Sequence, residues 1–120
     1  VTTTFTLDPP CAFINANDRL HHAPKAKLTR TWRDLAAATI NTGWFPDRYQ
    51  RAHITVAIRF PNNRRRDVGN LYPTAKAIVD GCVDANLLSD DDDKHVIGPD
   101  LRRDYPNGEP RVTVTIEEIQ

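Results

Sequence analysis

The chain is poor in several things, and each shortage excludes a class of protein. There is no methionine, and 120 residues hold only two cysteines, Cys11 and Cys82. Two thiols are too few for a disulfide scaffold and fit a reducing compartment. With no methionine, the initiator is expected to have been removed or to lie outside this numbering. No apolar run approaches the ~20 residues of a membrane-spanning helix, and no secretory leader is visible, so a cytoplasmic location is expected. The five glycines form no phosphate-cradling loop, and a nucleophile elbow and a zinc spacing are both missing. Net charge is missing too, because 16 Lys+Arg balance 16 Asp+Glu. As a total, this argues against nucleic acid, whose partners are usually basic.

The total hides a division. Residues 1–66 hold eleven bases and four acids, a charge of +7; residues 67–120 hold five bases and twelve acids, a charge of −7. Asymmetry of this size is itself a signal. A basic surface suits a polyanion, and an acidic cluster suits cations. The length makes one domain, which buries roughly two-thirds of its unfolded surface without staples.

Hydrophobic periodicity places the elements. Thr2–Leu7 alternates like a half-buried strand and stops at Asp8-Pro9-Pro10. From Cys11 to about Lys25 there is neither period, which predicts a structureless loop of the functional or mobile kind. Leu28, Trp32, Leu35, Ala36, Thr39 and Ile40 share one helical face. A turn region with Pro46 follows. Ile54, Val56, Ile58 and Phe60 share one face of the strand Ala52–Phe60. A second helix runs from about Asn70 to Asp84, with Asn70 as its N-cap and Pro73 in its first turn. His95-Val96-Ile97 is a short strand ended by Gly98-Pro99, and Arg111–Ile119 is the last strand. The order β-α-β-α-β-β predicts an α+β domain: a small mixed sheet with two helices packed on one face. Trp32 and Cys82 belong to the core. Trp44 is expected to pack as well, with stacking on a base as its alternative.

Acidic residues stand at the turns around the second helix. Asp67 precedes it and Asp90–Asp93 follow it. A helix of about fifteen residues is roughly 22 Å long, so Asp67 and Asp91 meet only if segment 85–93 folds back along it. A following strand that returns beside the strand preceding Asp67 would do this. Distant carboxylates brought together are how Mg²⁺ sites are made, with water and phosphate oxygens filling the remaining positions. Neighbouring carboxylates ~6 Å apart repel by roughly 3 kcal/mol at an effective dielectric of about 20. The four aspartates are therefore either a well-solvated loop or a cation site. Lys76 lies four residues before Asp80. It is either an ordinary i,i+4 ion pair or a cation for a phosphodiester under attack. Arg19, Lys25, Lys27, Arg30, Arg33, Arg64, Arg65 and Arg66 suit backbone phosphates. His21-His22 lack partners at a zinc spacing.

Arg64-Arg65-Arg66-Asp67-Val68-Gly69-Asn70-Leu71, then Lys76, Asp80 and Ala85-Asn86-Leu87-Leu88-Ser89-Asp90-Asp91, resemble the RusA family of Holliday junction resolvases, whose motif is close to R-R-D-x-D-N-L-x-K followed by a D-D pair. Pro9-Pro10, Asn15, Asn17 and Trp32-Arg33-Asp34-Leu35-Ala36 agree in order, so the resemblance covers nearly the whole of 1–120. It implies one endonuclease domain forming a homodimer, dependent on Mg²⁺ or Mn²⁺, which nicks branched DNA symmetrically in recombination and repair. Such enzymes are common in bacteriophages, and the bacterial host cytoplasm is then the expected location. It implies Asp67, Asp90 and Asp91 as metal ligands, with Asp67, Asp91 and Lys76 catalytic. Lys76 fits the motif lysine only with three residues inserted around Tyr72-Pro73-Thr74. Gly69 departs from the motif, where a second metal-binding aspartate is usual. Either Asp80, Asp92 or Asp93 substitutes, or metal binding is weak, or catalysis has been lost. The alternative is then a non-catalytic nucleic-acid-binding protein on the same scaffold. A weaker third reading pairs the +7 and −7 halves between subunits.

Overall fold

The computed structural model describes residues 1–19, 22–45 and 48–119. The strands are β1 (Thr2–Leu7), β2 (Ala52–Arg59), β3 (Val96–Asp104) and β4 (Arg111–Glu118). The helices are α1 (His22–Thr42) and α2 (Tyr72–Asp84), with a 3₁₀ turn over Val68–Leu71 leading into α2. The sheet order is β1-β4-β2-β3. β4 is antiparallel to both β1 and β2, and β3 is parallel to β2. This is the expected mixed α+β sheet.

One face of the sheet is dry. Ile54, Val56, Ile58, Val112, Val114 and Ile116 are fully buried there, each alternating with a partly or fully exposed neighbour. Trp32, Ala36 and Ile40 of α1 and Ala75, Ile78, Val79 and Cys82 of α2 join the same core. The two helices approach closely at Gly81, where a Cβ would stand 2.4 Å from the Arg33 carbonyl oxygen and 2.8 Å from the Ala36 Cβ. The radius of gyration is 13.9 Å, close to the ~13.6 Å expected of one compact domain of this length.

Three expectations are corrected. First, α1 begins at His22, inside the stretch expected to be loop. Residues 22–27 are exposed on every side, so they carry no apolar period to read. Ala23, Lys25, Ala26 and Lys27 favour helix, and Pro24 sits in the first turn, where an N–H is unpaired anyway. Second, β3 is not ended by Gly98-Pro99 but runs through it to Asp104. The pairing shifts register between His53 and Thr55, and Gly98 has φ 104° there. Such an irregularity is tolerated on an edge strand. Third, Asn70 is not the helix cap. It lies within the 3₁₀ turn, and Asp67 caps it instead, Oδ1 accepting from Gly69 N at 3.0 Å. Pro73 does stand in the first turn of α2. The turn at Pro46, like His21, falls outside the described residues.

Candidate functional site

The turn after α2 decides where the acidic run goes. Asn86 takes a left-handed φ of 63°. Its N–H bonds to Val83 O, and Leu87 N–H reaches back to Cys82 O, both at 3.0 Å. This is the paired arrangement that ends a helix and reverses the chain, with asparagine in place of glycine. Leu87 and Leu88 are then buried. Tyr49 fixes the returning segment: its N–H donates to Leu87 O at 2.8 Å, and its carbonyl accepts from Ser89 N at 3.3 Å. Its hydroxyl shares a hydrogen bond with Thr3 Oγ1 at 2.6 Å, deep in the core.

The chain therefore folds back along α2, and β3 returns parallel to the strand that precedes Asp67. Asp91 reaches Lys76, roughly 12 Å back from the end of the helix at 1.5 Å per residue. Lys76 Nζ donates to Asp91 Oδ2, and to Asp80 Oδ1 at 2.6 Å. Burial lowers the Lys76 pKa, but the two carboxylates outweigh it and the net shift is upward. The Lys76 ammonium, first, and then a contact with Asp80 hold the Asp91 carboxyl at about 2. Asp91 is thus ionised at any working pH. The i,i+4 pair with Asp80 exists, but it is half of a three-residue network.

Asp90, Asp92 and His95 form a second group. Their ligand atoms lie within 4.8 Å of one another, the only such trio of His, Cys, Asp or Glu among the described residues. His95 Nδ1 bonds Asp92 Oδ1 at 2.5 Å, and that contact lowers the Asp92 pKa. Asp90 Oδ1 accepts from Asp91 N at 2.7 Å. Asp93 is exposed. In sequence His95 reads only as the start of a strand; the signal for its contact is the i,i+3 spacing from Asp92.

Asp67 stands elsewhere, in a cleft of about 430 Å³ whose lining includes Asn15, Asp18, Arg65, Arg66, Asn70 and Phe60. The loop before α1 forms one wall. Ile14 N donates to Thr74 Oγ1 at 2.7 Å, Thr74 Oγ1 donates back to Ile14 O at 3.1 Å, and Ala16 N donates to Asn70 O at 2.7 Å. Opposite, the Arg66 guanidinium lies 4.4 Å above the Phe60 ring and bonds Asn62 Oδ1 at 2.9 Å. Asp67 belongs to no trio of ligand atoms within 4.8 Å among the described residues. A Cβ on Gly69 would be 3.1 Å from Asp67 Oδ1, so a carboxylate at position 69 would lie beside it.

The bases fall into two kinds. Arg33 is spent on structure: it forks onto Asp84, Nε to Oδ2 at 2.6 Å and one terminal nitrogen to Oδ1 at 2.8 Å, tying α1 to α2. That contact raises the Arg33 pKa and lowers that of Asp84. Arg19, Lys25, Lys27, Arg30, Arg64 and Arg65 are exposed, with no ion pair among the described residues. Lys25 and Arg30 flank a shallow groove along α1. Trp32 is fully buried, stacked on Phe13 at 5.5 Å. Cys82 is also fully buried, and burial pushes its thiol up to about 12. Trp44 corrects its expected packing: it is 94% exposed.

No family model matches the chain, and no curated protein matches it. Among solved structures, a thiamine-monophosphate kinase from Stenotrophomonas maltophilia is similar over 97% of this chain and 29% of that one, with 20% identity and a TM-score of 0.29. The chain spans less than a third of that protein's length, and a TM-score so low carries no argument about fold or activity. No described helix is long and apolar enough to cross a membrane.

Proposed function

We propose that this chain is a metal-dependent, structure-selective DNA endonuclease that acts on four-way junctions as a homodimer, in the manner of the RusA family it resembles. The observation that supports this best is the fold-back of segment 85–93, which carries Asp91 to Lys76 near the start of α2. A fold-back of this kind is what the acids after the helix need if they are to share a cation with Asp67.

The donors suit a hard divalent cation. Asp91 is held ionised, Asp90 is exposed beside it, and Asp67 has one oxygen turned to Gly69 N and the other without a hydrogen bond among the described residues. Asp67, Asp90 and Asp91 would hold Mg²⁺, or Mn²⁺, with Asp80, Asp92 and Asp93 as substitutes for the carboxylate that Gly69 lacks. Bound there, the cation supplies a Lewis acid and a water of lowered pKa. Lys76 places a cation beside the phosphodiester. Arg64, Arg65 and, on α1, Lys25, Lys27 and Arg30 hold the DNA backbone without reading sequence. The test is incision of a synthetic four-way junction in Mg²⁺ and in Mn²⁺, lost in Asp67→Asn and Asp91→Asn. Junctions bound but left whole in both cations sink this reading.

One observation favours the second reading, a nucleic-acid-binding protein without catalysis. Asp67 is engaged as a cap and shares no three-ligand cluster with the other acids among the described residues. On that reading junction affinity survives Asp67→Asn unchanged, and no divalent cation alters it.

A further inference from the structure

The turn that follows β2 gathers cations from both halves of the chain. It carries Arg64, Arg65 and Arg66 in sequence, and β3 adds Arg103 from the acidic half. Arg103 pairs in register with the buried Ile58, so its side chain leaves the sheet on the helix-covered side. Its guanidinium lies 5.1 Å from the centre of the Phe60 ring, and that of Arg66 lies 4.4 Å from it. Both groups donate to the same two carbonyl oxygens, Asn62 O and Arg64 O. Two N–H···O bonds of ~3 Å to one oxygen leave their donors no more than about 6 Å apart.

The carbonyls satisfy N–H groups but carry no net charge. None of the four arginines has a salt bridge among the described residues. Arg103 Nε is buried without a hydrogen-bond partner. Asp18 and Asp67 line the cleft with Arg65 and Arg66, and Asp67 turns Oδ1 to Gly69 N. The remaining acids of this end are placed otherwise. Asp104 lies opposite Arg59, on the face of the sheet away from the helices, and Asp8 and Glu109 line a groove of their own with Pro9 and Pro110. The corner at Phe60 therefore holds more cation than its acids answer, and such a surface draws an anion.

The chain then supplies a ring. After β3, the loop over 105–110 folds onto the same turn: Asn107 Nδ2 donates to Asn63 Oδ1, and Gly108 N donates to Phe60 O at 3.1 Å. Tyr105 is thereby set beside Arg103, whose guanidinium is 5.4 Å from the ring centre. Tyr105 is nevertheless 65% exposed, and no other aromatic ring stacks on it among the described residues. Cations interleaved with an open ring are what a single strand needs: phosphates meet the cations, and a base without a pairing partner lies on the ring. A duplex cannot use the ring, because its bases are already stacked on one another.

We propose that Arg103 and Tyr105, with Arg64 and Arg66, form a contact for single-stranded DNA, in which the arginines take a phosphate and Tyr105 stacks the adjoining unpaired base. Arg66 joins this contact to the Asp67 cleft. The protein therefore favours DNA that carries an unpaired arm over fully paired DNA. The proposal rests on the reading of this chain as a DNA-binding protein and adds the substrate feature it selects; it needs no cleavage.

Fluorescence anisotropy in chelator tests this with labelled oligothymidylate, a duplex, and a four-way junction without unpaired bases. Wild-type protein is expected to bind the oligothymidylate. Tyr105→Ala is expected to weaken that binding about 5- to 100-fold, with duplex affinity and circular dichroism unchanged. Tyr105→Phe keeps the ring and is expected to bind as wild type does. On an abasic strand of the same length, wild type and Tyr105→Ala are expected to bind alike, because no base is there to stack. Arg103→Gln is expected to lower the salt slope on oligothymidylate by about 0.7. Tyr105→Ala that binds oligothymidylate as tightly as wild type, or that loses as much affinity for the duplex or the abasic strand, overturns the proposal. So does an unchanged salt slope in Arg103→Gln. Protein that binds the junction but not oligothymidylate overturns it and leaves the nuclease reading standing, whereas protein that binds none of the probes overturns both.

Discussion

Lys76 Nζ donates to Asp91 Oδ2 across a sequence separation of 15 residues, while also holding Asp80 one helical turn away. The contact ties the acidic segment to α2 and keeps Asp91 charged. It has two pH limbs. Asp91 titrates at about 2 in the folded chain, below the ~3.9 of a free carboxyl. Its contribution is therefore full above about pH 4 and lost as pH falls toward about 2. Lys76 is shifted the other way, upward from 10.5, so its contribution is full below that value and lost as pH rises past its folded pKa. Lys76→Met is expected to cost about 1 kcal/mol or less at neutral pH. Melting temperature against pH checks this: the deficit of the variant should be full above about pH 4 and shrink as pH falls toward about 2, where the Asp91 contribution is lost from wild type as well.

Gly69→Asp returns a carboxylate to the position beside Asp67. The new Cβ would stand 3.1 Å from Asp67 Oδ1, so the Asp67 side chain must give by a few tenths of an ångström. Two solvated carboxylates ~4 Å apart repel by about 1 kcal/mol. The variant is expected to melt a few degrees lower than wild type in chelator. It should gain more stability than wild type on adding Mn²⁺, because a bound cation stabilises by mass action. Thermal shift with and without the cation reads both. An equal response to Mn²⁺ in the two proteins would count against a cation site at Asp67.

Gly81→Ala tests the packing beneath the site. The added methyl would meet Arg33 O at 2.4 Å and the Ala36 Cβ at 2.8 Å. A backbone oxygen cannot rotate aside, so the helices must separate, at about 1–3 kcal/mol. A lower urea midpoint is the expected outcome. A midpoint equal to wild type would show that the helices slide apart at no cost.

Arg33 and Arg65 should part company on DNA. Arg33 is forked onto Asp84, whereas Arg65 is exposed at the Asp67 cleft. Arg65→Ala and Arg30→Ala are each expected to weaken junction binding and to reduce the salt slope by about 1. Arg33→Ala is expected to lower stability by about 1 kcal/mol or less and leave the salt slope alone. Binding titrations at several salt concentrations separate the two effects.

The parts of the fold legible in sequence are those whose burial leaves a local period. Ile54, Val56 and Ile58 alternate with half-buried residues, and Trp32, Ala36 and Ile40 recur every four. Where exposure is uniform the period vanishes, as over His22–Lys27 of α1. Where the strand is irregular it also vanishes: Val96–Asp104 shows no alternation because Gly98 shifts its register. The acids and Lys76 are visible as candidates, and Asp67 can meet Asp91 only if segment 85–93 folds back; it does fold back and brings Asp91 to Lys76, while Asp67 lines a separate cleft. What decided it was non-local: Asn86 in a left-handed conformation and Tyr49 bridging to Leu88. The capping by Asp67 rather than Asn70 was hidden because both side chains suit a cap, and the choice rests on where the 3₁₀ turn begins.

The most direct measurement is strand-by-strand mapping of incision on a labelled four-way junction, with wild-type protein and with Asp91→Asn, in Mn²⁺ and in chelator. Wild-type protein is expected to leave paired nicks on opposed strands in Mn²⁺ and none in chelator, and Asp91→Asn none in either. Intact strands in every lane, from protein that demonstrably binds the junction, would contradict the account.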